Sequence, residues 1–493
     1  MEDMPQEMTL ADHVKVVADT ITISMTLWVL VGVGIYLTIA SRGLQIRHFG
    51  SMIRMATSSR QGAQGGISSF QAFTISLAAR VGVGNVFGVA AALLMGGPGA
   101  IFWMWIVAGV GMATAFFEAT LAQIFKVKAE DGTFRGGPAY YIWLGMKNKT
   151  LAMVFAVITV ATCAFAITSV QSNAIAGTLL SAVSQPGPGE GVFFSPFQLT
   201  IAALLFVFSS MVIFGGIRTV ARVTEWMAPI MALIYVILVA VIVVMNIGEF
   251  GAVLSQIFTT AFDARPLAGG VAGGILAAII NGTQRGLFSN EAGQGTAPNA
   301  AATATVAHPV SQGLIQSLGV FIDTIIVCTA TAFVILIAGE SIWAVPGVNP
   351  ANLTTLAVAS QLGQWTILPM AVLIFVLAYS SIIAAYVYSE TNMTFVTQAP
   401  WAKILVRSVS VASVVLGALV PLDLVWNAVD IAMAVMTVTN LLALIWLARW
   451  GLGALRDWEA QRRSGVTEPI FNGRENPHLP ADVPTETWNG HSA

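Results

Sequence analysis

Charge is what this sequence has least of: Asp, Glu, Lys and Arg make up 9% of its 493 residues, against 56% hydrophobic. Mean hydropathy is +0.79. An ordinary soluble domain carries roughly 25% charged residues, so a water-facing surface is excluded and the solvent of this chain is lipid. No basic excess exists either. The formal net charge is −2, which excludes the electrostatic footprint of a nucleic-acid binder. The two cysteines, Cys163 and Cys328, each fall within an apolar run and read as buried free thiols rather than a disulfide framework. His13, His48, His308, His478 and His491 are dispersed without metal-ligand spacing. With no nucleophile or acid pair beside them, nothing points to an enzyme or an organic cofactor. The basic start of a signal peptide is also missing, since residues 1–20 set Glu2, Asp3, Glu7, Asp12 and Asp19 against Lys15.

What the chain has is apolar runs of about the 20 residues that a helix needs to cross the hydrocarbon layer. We read eleven, at 21–41, 69–95, 100–125, 151–184, 197–216, 227–248, 268–304, 311–338, 366–390, 404–420 and 424–448. Continuous apolar runs, unlike alternating strands, predict an all-α polytopic membrane protein, because each helix satisfies its own backbone in lipid. Basic residues are retained on the cytoplasmic side. Eighteen of the 22 follow odd-numbered spans, from Arg42 after the first to Arg474 after the eleventh, whereas Lys15 and Arg265 lie on the opposite side. The chain is therefore expected to begin outside with an extracytoplasmic N-terminus at 1–20 and to end inside with a cytoplasmic tail at 449–493. From about Gly465 that tail is polar and proline-bearing, and is expected to be disordered.

The second and seventh spans differ from the others. Glycines and polar groups interrupt each at mid-depth: Arg80-Val81-Gly82-Val83-Gly84-Asn85 in one, and Gln284-Arg285-Gly286-Leu287-Phe288-Ser289-Asn290-Glu291-Ala292-Gly293-Gln294-Gly295 in the other. Broken helices at matching places in two halves of a chain are the mark of an inverted-repeat transporter with its site near the bilayer midplane. Five spans separate the breaks. The expected architecture is thus a first five-helix repeat at 69–248, a second at 268–448, and one additional N-terminal helix at 21–41. Carbonyls freed at such a break suit a hard cation, and the amides opening the next half-helix suit a carboxylate. Ser289, Asn290 and Gln294 add neutral hydrogen bonds. Glu291 adds an acid that would pair with an intramembrane arginine, receive an amino group or stay protonated. Ser380 and Ser381 in the ninth span offer adjacent neutral oxygens, although membrane serines also bond back to their own helix.

Several stretches together resemble the alanine or glycine:cation symporters, also called sodium:alanine symporters. They are Val81-Gly82-Val83-Gly84-Asn85, Gly96-Gly97-Pro98-Gly99-Ala100, Phe102-Trp103-Met104-Trp105, Gly111-Met112-Ala113-Thr114 with Glu118, Arg135-Gly136-Gly137-Pro138, and Arg285 through Gly293. The resemblance covers most of the chain. It implies a leucine-transporter-type fold and sodium-driven uptake of a small neutral amino acid: alanine, glycine or, in some members, glutamine. It also implies substrate contacts at Gly82, Gly84, Asn85, Gln171 and Asn173 and along Ser289, Asn290, Glu291 and Gly293. By analogy with the fold's cation site, sodium would lie between Ala78 and Val81 carbonyls and the hydroxyls of Ser380 and Ser381.

Two positions depart from the family pattern: Val83 stands where relatives have Thr or Ser, and Ala385 where they have Trp or an amide, leaving room for a larger substrate side chain. Arg80 is always charged. It is read either as a built-in cation, which would permit sodium-independent exchange, or as a structural partner of Glu118, Asp323 or Glu291. Arg285 is grouped with it as a gating or charge-pairing residue. Proton coupling through Glu291 or Asp323 is the further alternative. Among other classes, a channel lacks its continuous polar ring, and a nontransporting amino-acid sensor is separated from a carrier only by measured uptake.

Overall fold

The computed structural model describes residues 26–58, 67–129, 132–184, 187–188, 194–263, 274–345, 348–421 and 423–488. The expected extracytoplasmic segment 1–20, the beginnings of the spans expected from 21 and 268, and Arg60 and Arg265 lie outside the described residues. Among those described, eight helices are long and apolar enough to cross a membrane. They correspond to the third to sixth and eighth to eleventh expected spans. The pair Ser69–Arg80 and Gly84–Gly96, bent by 46°, makes a ninth crossing if taken as one span. The first expected span appears as Leu27–Ala40, and the seventh as Ile275–Asn290 followed by the short helix Ala297–Ala301.

Local sequence explains where these helices begin. Pro196, Pro309 and Pro400 open their helices at positions where a missing N–H costs nothing. Ser68 and Gln71 form a reciprocal capping box at the start of the second span. Burial then separates centre from periphery. In the third and eighth spans 67% of the apolar window is buried within the protein, against 28% in Ile217–Met245, which lies at the periphery. The second, third, seventh and eighth spans pack together as an inner bundle. The ninth span, 61% buried, packs against the second, fourth and tenth.

Two expectations need correction. The eleventh span does not stop near 448 but runs as one helix from Asp423 to Arg463. The tail, expected to be disordered, folds back over the ends of the third, seventh and eighth spans. Phe471, Val483 and Trp488 are buried; Phe471 N–H donates to the Ala307 carbonyl at 2.9 Å and Trp488 Nε1–H to the Gln123 carbonyl at 3.0 Å. Average polarity hid three apolar anchors. Truncating a buried aromatic costs about 3–5 kcal/mol, so Trp488→Ala is expected to release this segment. Limited proteolysis at 465–488 should then be accelerated at least about tenfold.

Candidate functional site

The second-span helix ends at Arg80 and resumes at Gly84, with the Gly82 amide donating to Asn85 Oδ1 at 2.9 Å. The seventh-span helix ends at Asn290 and is capped by Glu291 in the left-handed conformation (φ 56°), followed by Gly293 (φ 89°) and Gly295 (φ 79°). Glycine accepts such angles without strain; a glutamate held there marks a position fixed by its surroundings. The surroundings include Glu118 of the third span. Its Oε2 accepts from Gly293 N–H at 2.9 Å, and its Oε1 accepts from Gly295 N–H at 3.0 Å and Asn440 Nδ2 at 2.6 Å. The expected charge pairing of Glu118 is thus replaced by a brace on the seventh-span break.

Asn85 and Ser289 meet each other and a third group. Asn85 Nδ2 donates to Asp323 Oδ1 at 2.6 Å and to Ser289 Oγ at 3.0 Å, and Ser289 Oγ donates to Asp323 Oδ2 at 2.9 Å. Thr324 adds a fourth bond at 2.8 Å. This fully buried cluster locks the two broken helices onto the eighth span.

Between the breaks lies a cavity. Its walls are Ala79, Arg80 and Gly84 from the second span, Ile167 and Gln171 from the fourth, Phe288, Glu291 and Gln294 from the seventh, Ser381, Ala385 and Tyr388 from the ninth, and Met433 from the eleventh. Of the substrate contacts implied by resemblance, Gly84, Gln171 and Glu291 line it. Gly82, Asn85, Ser289, Asn290 and Gly293 are not among its lining residues. Asn173 points elsewhere, donating to the Gly417 and Val420 carbonyls of the tenth span. Tyr388 was missed by the sequence reading, yet Ser381, Ala385 and Tyr388 sit at i, i+4 and i+7 on one helical face, a spacing that would have found it. Tyr388 and Thr296 both hydrogen-bond Glu291 Oε2, at 3.4 and 2.9 Å. Across Phe288, Gln294 and Met433 a second cavity opens, lined by Thr26, Leu27, Leu30, Gln284, Arg285 and Asp430 among others.

The two ninth-span serines turn toward the first break. Ser380 Oγ lies 2.9 Å from the Ala78 carbonyl, and Ser381 Oγ lies 3.2 Å from Ala78 O and 3.1 Å from Ala79 O. Both also bond back to Leu377 of their own helix. Four neutral oxygens therefore gather at the end of the first half-helix. Val81 is not among them, and the Ala79 carbonyl takes its place because the helix ends one residue before Val81.

Arg80 corrects another expectation. It makes no ion pair with Glu118, Asp323 or Glu291 among the described residues. Its Nη1 instead donates to the backbone carbonyl and side-chain oxygen of Gln316, at 3.1 and 3.2 Å.

Helices broken around a buried amphoteric cavity define a multi-pass membrane transporter of the leucine-transporter type. A solved structure, MhsT in complex with L-phenylalanine, shares the fold with a TM-score of 0.54 at 16% identity, covering 82% of this chain and 94% of that one. The model of the sodium:alanine symporter family matches residues 7–473. The amino-acid carrier protein AlsT of Bacillus subtilis is 41% identical over 94% of both chains. The probable sodium/glutamine symporter GlnT of the same organism is 38% identical over 94% of this chain and 93% of its own. The sodium/alanine symporter AgcS of Methanococcus maripaludis is 36% identical over 85% of this chain and 90% of its own. The chain belongs to the sodium:alanine symporter family; it is an amino-acid transporter and not an enzyme.

Proposed function

We propose that the protein is a sodium-coupled symporter of small neutral amino acids (alanine, glycine or glutamine) working by alternating access in the inner membrane of a prokaryote. One observation carries the reading: the cavity between the two breaks adjoins four neutral oxygens, from Ala78, Ala79, Ser380 and Ser381, of the kind a hard cation takes. Gly84, Gln171 and Glu291 would receive the amino acid. Gly84 opens a half-helix whose N-terminal amides suit a carboxylate, and Glu291 keeps acceptor capacity for an ammonium. The charge asymmetry of the loops supports an N-terminus outside and a C-terminus inside, with spans two to six and seven to eleven as inverted repeats. The cavity beyond Phe288 and Met433 then faces outside, and sodium entering there orders the break before the amino acid binds.

Uptake of labelled alanine, glycine and glutamine into proteoliposomes tests this. Accumulation is expected with an inward sodium gradient and not when potassium replaces sodium. Sodium-independent uptake would overturn the coupling and favour the second reading, in which Arg80, already at the cavity wall, serves as a built-in cation. Replacing Ser380 and Ser381 together by Ala removes two of the four oxygens. We expect the sodium concentration for half-maximal uptake to rise at least about tenfold, since each lost ligand to a charged group is worth about 1.5–3 kcal/mol. An unchanged sodium requirement would move the site elsewhere.

A further inference from the structure

Arg80 is 2% exposed and lines the cavity, yet only one of its three nitrogens is used. Nη1 is held by Gln316, while Nε and Nη2 have no hydrogen-bond partner in the protein. Those two nitrogens form the side-on edge of the guanidinium, the edge that presents two parallel N–H donors to one oxygen group. A structural ion pair would consume that edge. Of the nearby carboxylates, Glu118 is satisfied by two amides and Asn440, and Asp323 by Asn85, Ser289 and Thr324, while Glu291 takes Thr296 and Tyr388 on Oε2 and makes no ion pair with Arg80 among the described residues. Leaving buried donors unmade is costly, so a partner from the transported molecule is the economical explanation. Gln171 supplies the complementary lack. Gln171 lines the same cavity, and its Oε1 is buried and equally without a partner.

We propose that Arg80 and Gln171 together recognise a carboxamide on the substrate side chain, Arg80 donating to its oxygen and Gln171 Oε1 accepting from its nitrogen. The preferred cargo is then an amide-bearing neutral amino acid, with alanine and glycine as weaker substrates. A side-chain carboxylate is disfavoured on two grounds. It has no donor to offer Gln171, and one guanidinium stands there among three carboxylates, Glu118, Glu291 and Asp323. Ala385, on the same wall, presents only a methyl group to the cavity. The proposal rests on the amino-acid reading of the cavity and adds Arg80 as a specificity-determining residue.

The test needs no variant to begin with. In proteoliposomes of the wild-type protein, unlabelled glutamine, glutamate and norleucine (as long as glutamine but without an oxygen) compete against labelled alanine. Glutamine is expected to compete about 10- to 100-fold better than norleucine, the range spanned by hydrogen bonds to a charged group, and better than glutamate. Equal competition by glutamine and norleucine, or stronger competition by glutamate, overturns the proposal. No alanine uptake at all would instead sink the amino-acid reading beneath it. In Arg80→Lys and Gln171→Leu, the ratio of glutamine to alanine uptake should fall at least about tenfold. A purely structural role would lower both uptakes together and leave the ratio unchanged. Should the variants fail to fold, the wild-type competition alone decides.

Discussion

Gly82→Ala is expected to abolish uptake, although it adds a single methyl group. A Cβ at this position would lie 2.3 Å from Ser381 Oγ, inside any tolerable contact, whereas Ser381 Cβ would stand at an ordinary 3.5 Å. Ser381 cannot retreat freely. Its hydroxyl is held by the Ala78, Ala79 and Leu377 carbonyls, and its own helix packs tightly against the second span. The methyl would therefore push the break away from the ninth span and spread the four-oxygen cluster, at a cost of about 1–3 kcal/mol for overpacking before any ligand is lost. The double variant Gly82→Ala, Ser381→Ala separates the two effects. With the hydroxyl gone, the fold should regain wild-type thermal stability while the sodium requirement stays raised. If the double variant is no more stable than the single one, the clash does not lie where the geometry puts it. Stability is read by thermal denaturation in detergent, and the sodium requirement by proteoliposome uptake.

The second and seventh spans could be singled out in the sequence because a helix break leaves a compositional trace: glycines and amides at mid-depth in an otherwise apolar run. Which of the flanking side chains reach the cavity left none. Asn85 and Ser289 carry the chemistry of a substrate site, and only their placement against Asp323 shows that they fasten helices instead. The same limit applied to Arg80. Its charge demanded an account, three carboxylates offered one, and a neutral partner, Gln316, took the place that pairing by charge would assign. The two serines do turn toward the break, because their partners are backbone carbonyls of a helix end, a position that the break itself defines. The tail failed for a different reason. Polarity averaged over some thirty residues overlooks three apolar side chains spaced widely enough to anchor it.

Glu118→Gln is expected to be nearly as severe, because the substitution keeps the shape and reverses the chemistry. All three groups around the carboxylate are donors: the Gly293 and Gly295 amides and Asn440 Nδ2. A glutamine presents one oxygen and one NH₂, so at least one of these donors would face another donor in a fully buried place. Each unsatisfied buried group costs about 1–3 kcal/mol, and rotating the amide only changes which donor is stranded. Gly293 and Gly295 hold the left-handed angles on which the break depends. Asn440, which also donates to the Gly293 carbonyl at 2.9 Å, ties the same turn to the eleventh span. Losing the carboxylate thus loosens the seventh-span break from two sides, and Glu291, one residue beyond the last helical turn, loses its fixed position on the cavity. We expect uptake below about one-hundredth of wild type together with a lowered melting temperature. Glu118→Ala should be at least as damaging as Glu118→Gln, since it strands all three donors and leaves a cavity as well. Near-normal transport by Glu118→Gln would mean that the break stands without its brace. In that case the seventh span would be held open by its glycines and by the Asn85–Ser289–Asp323 cluster alone.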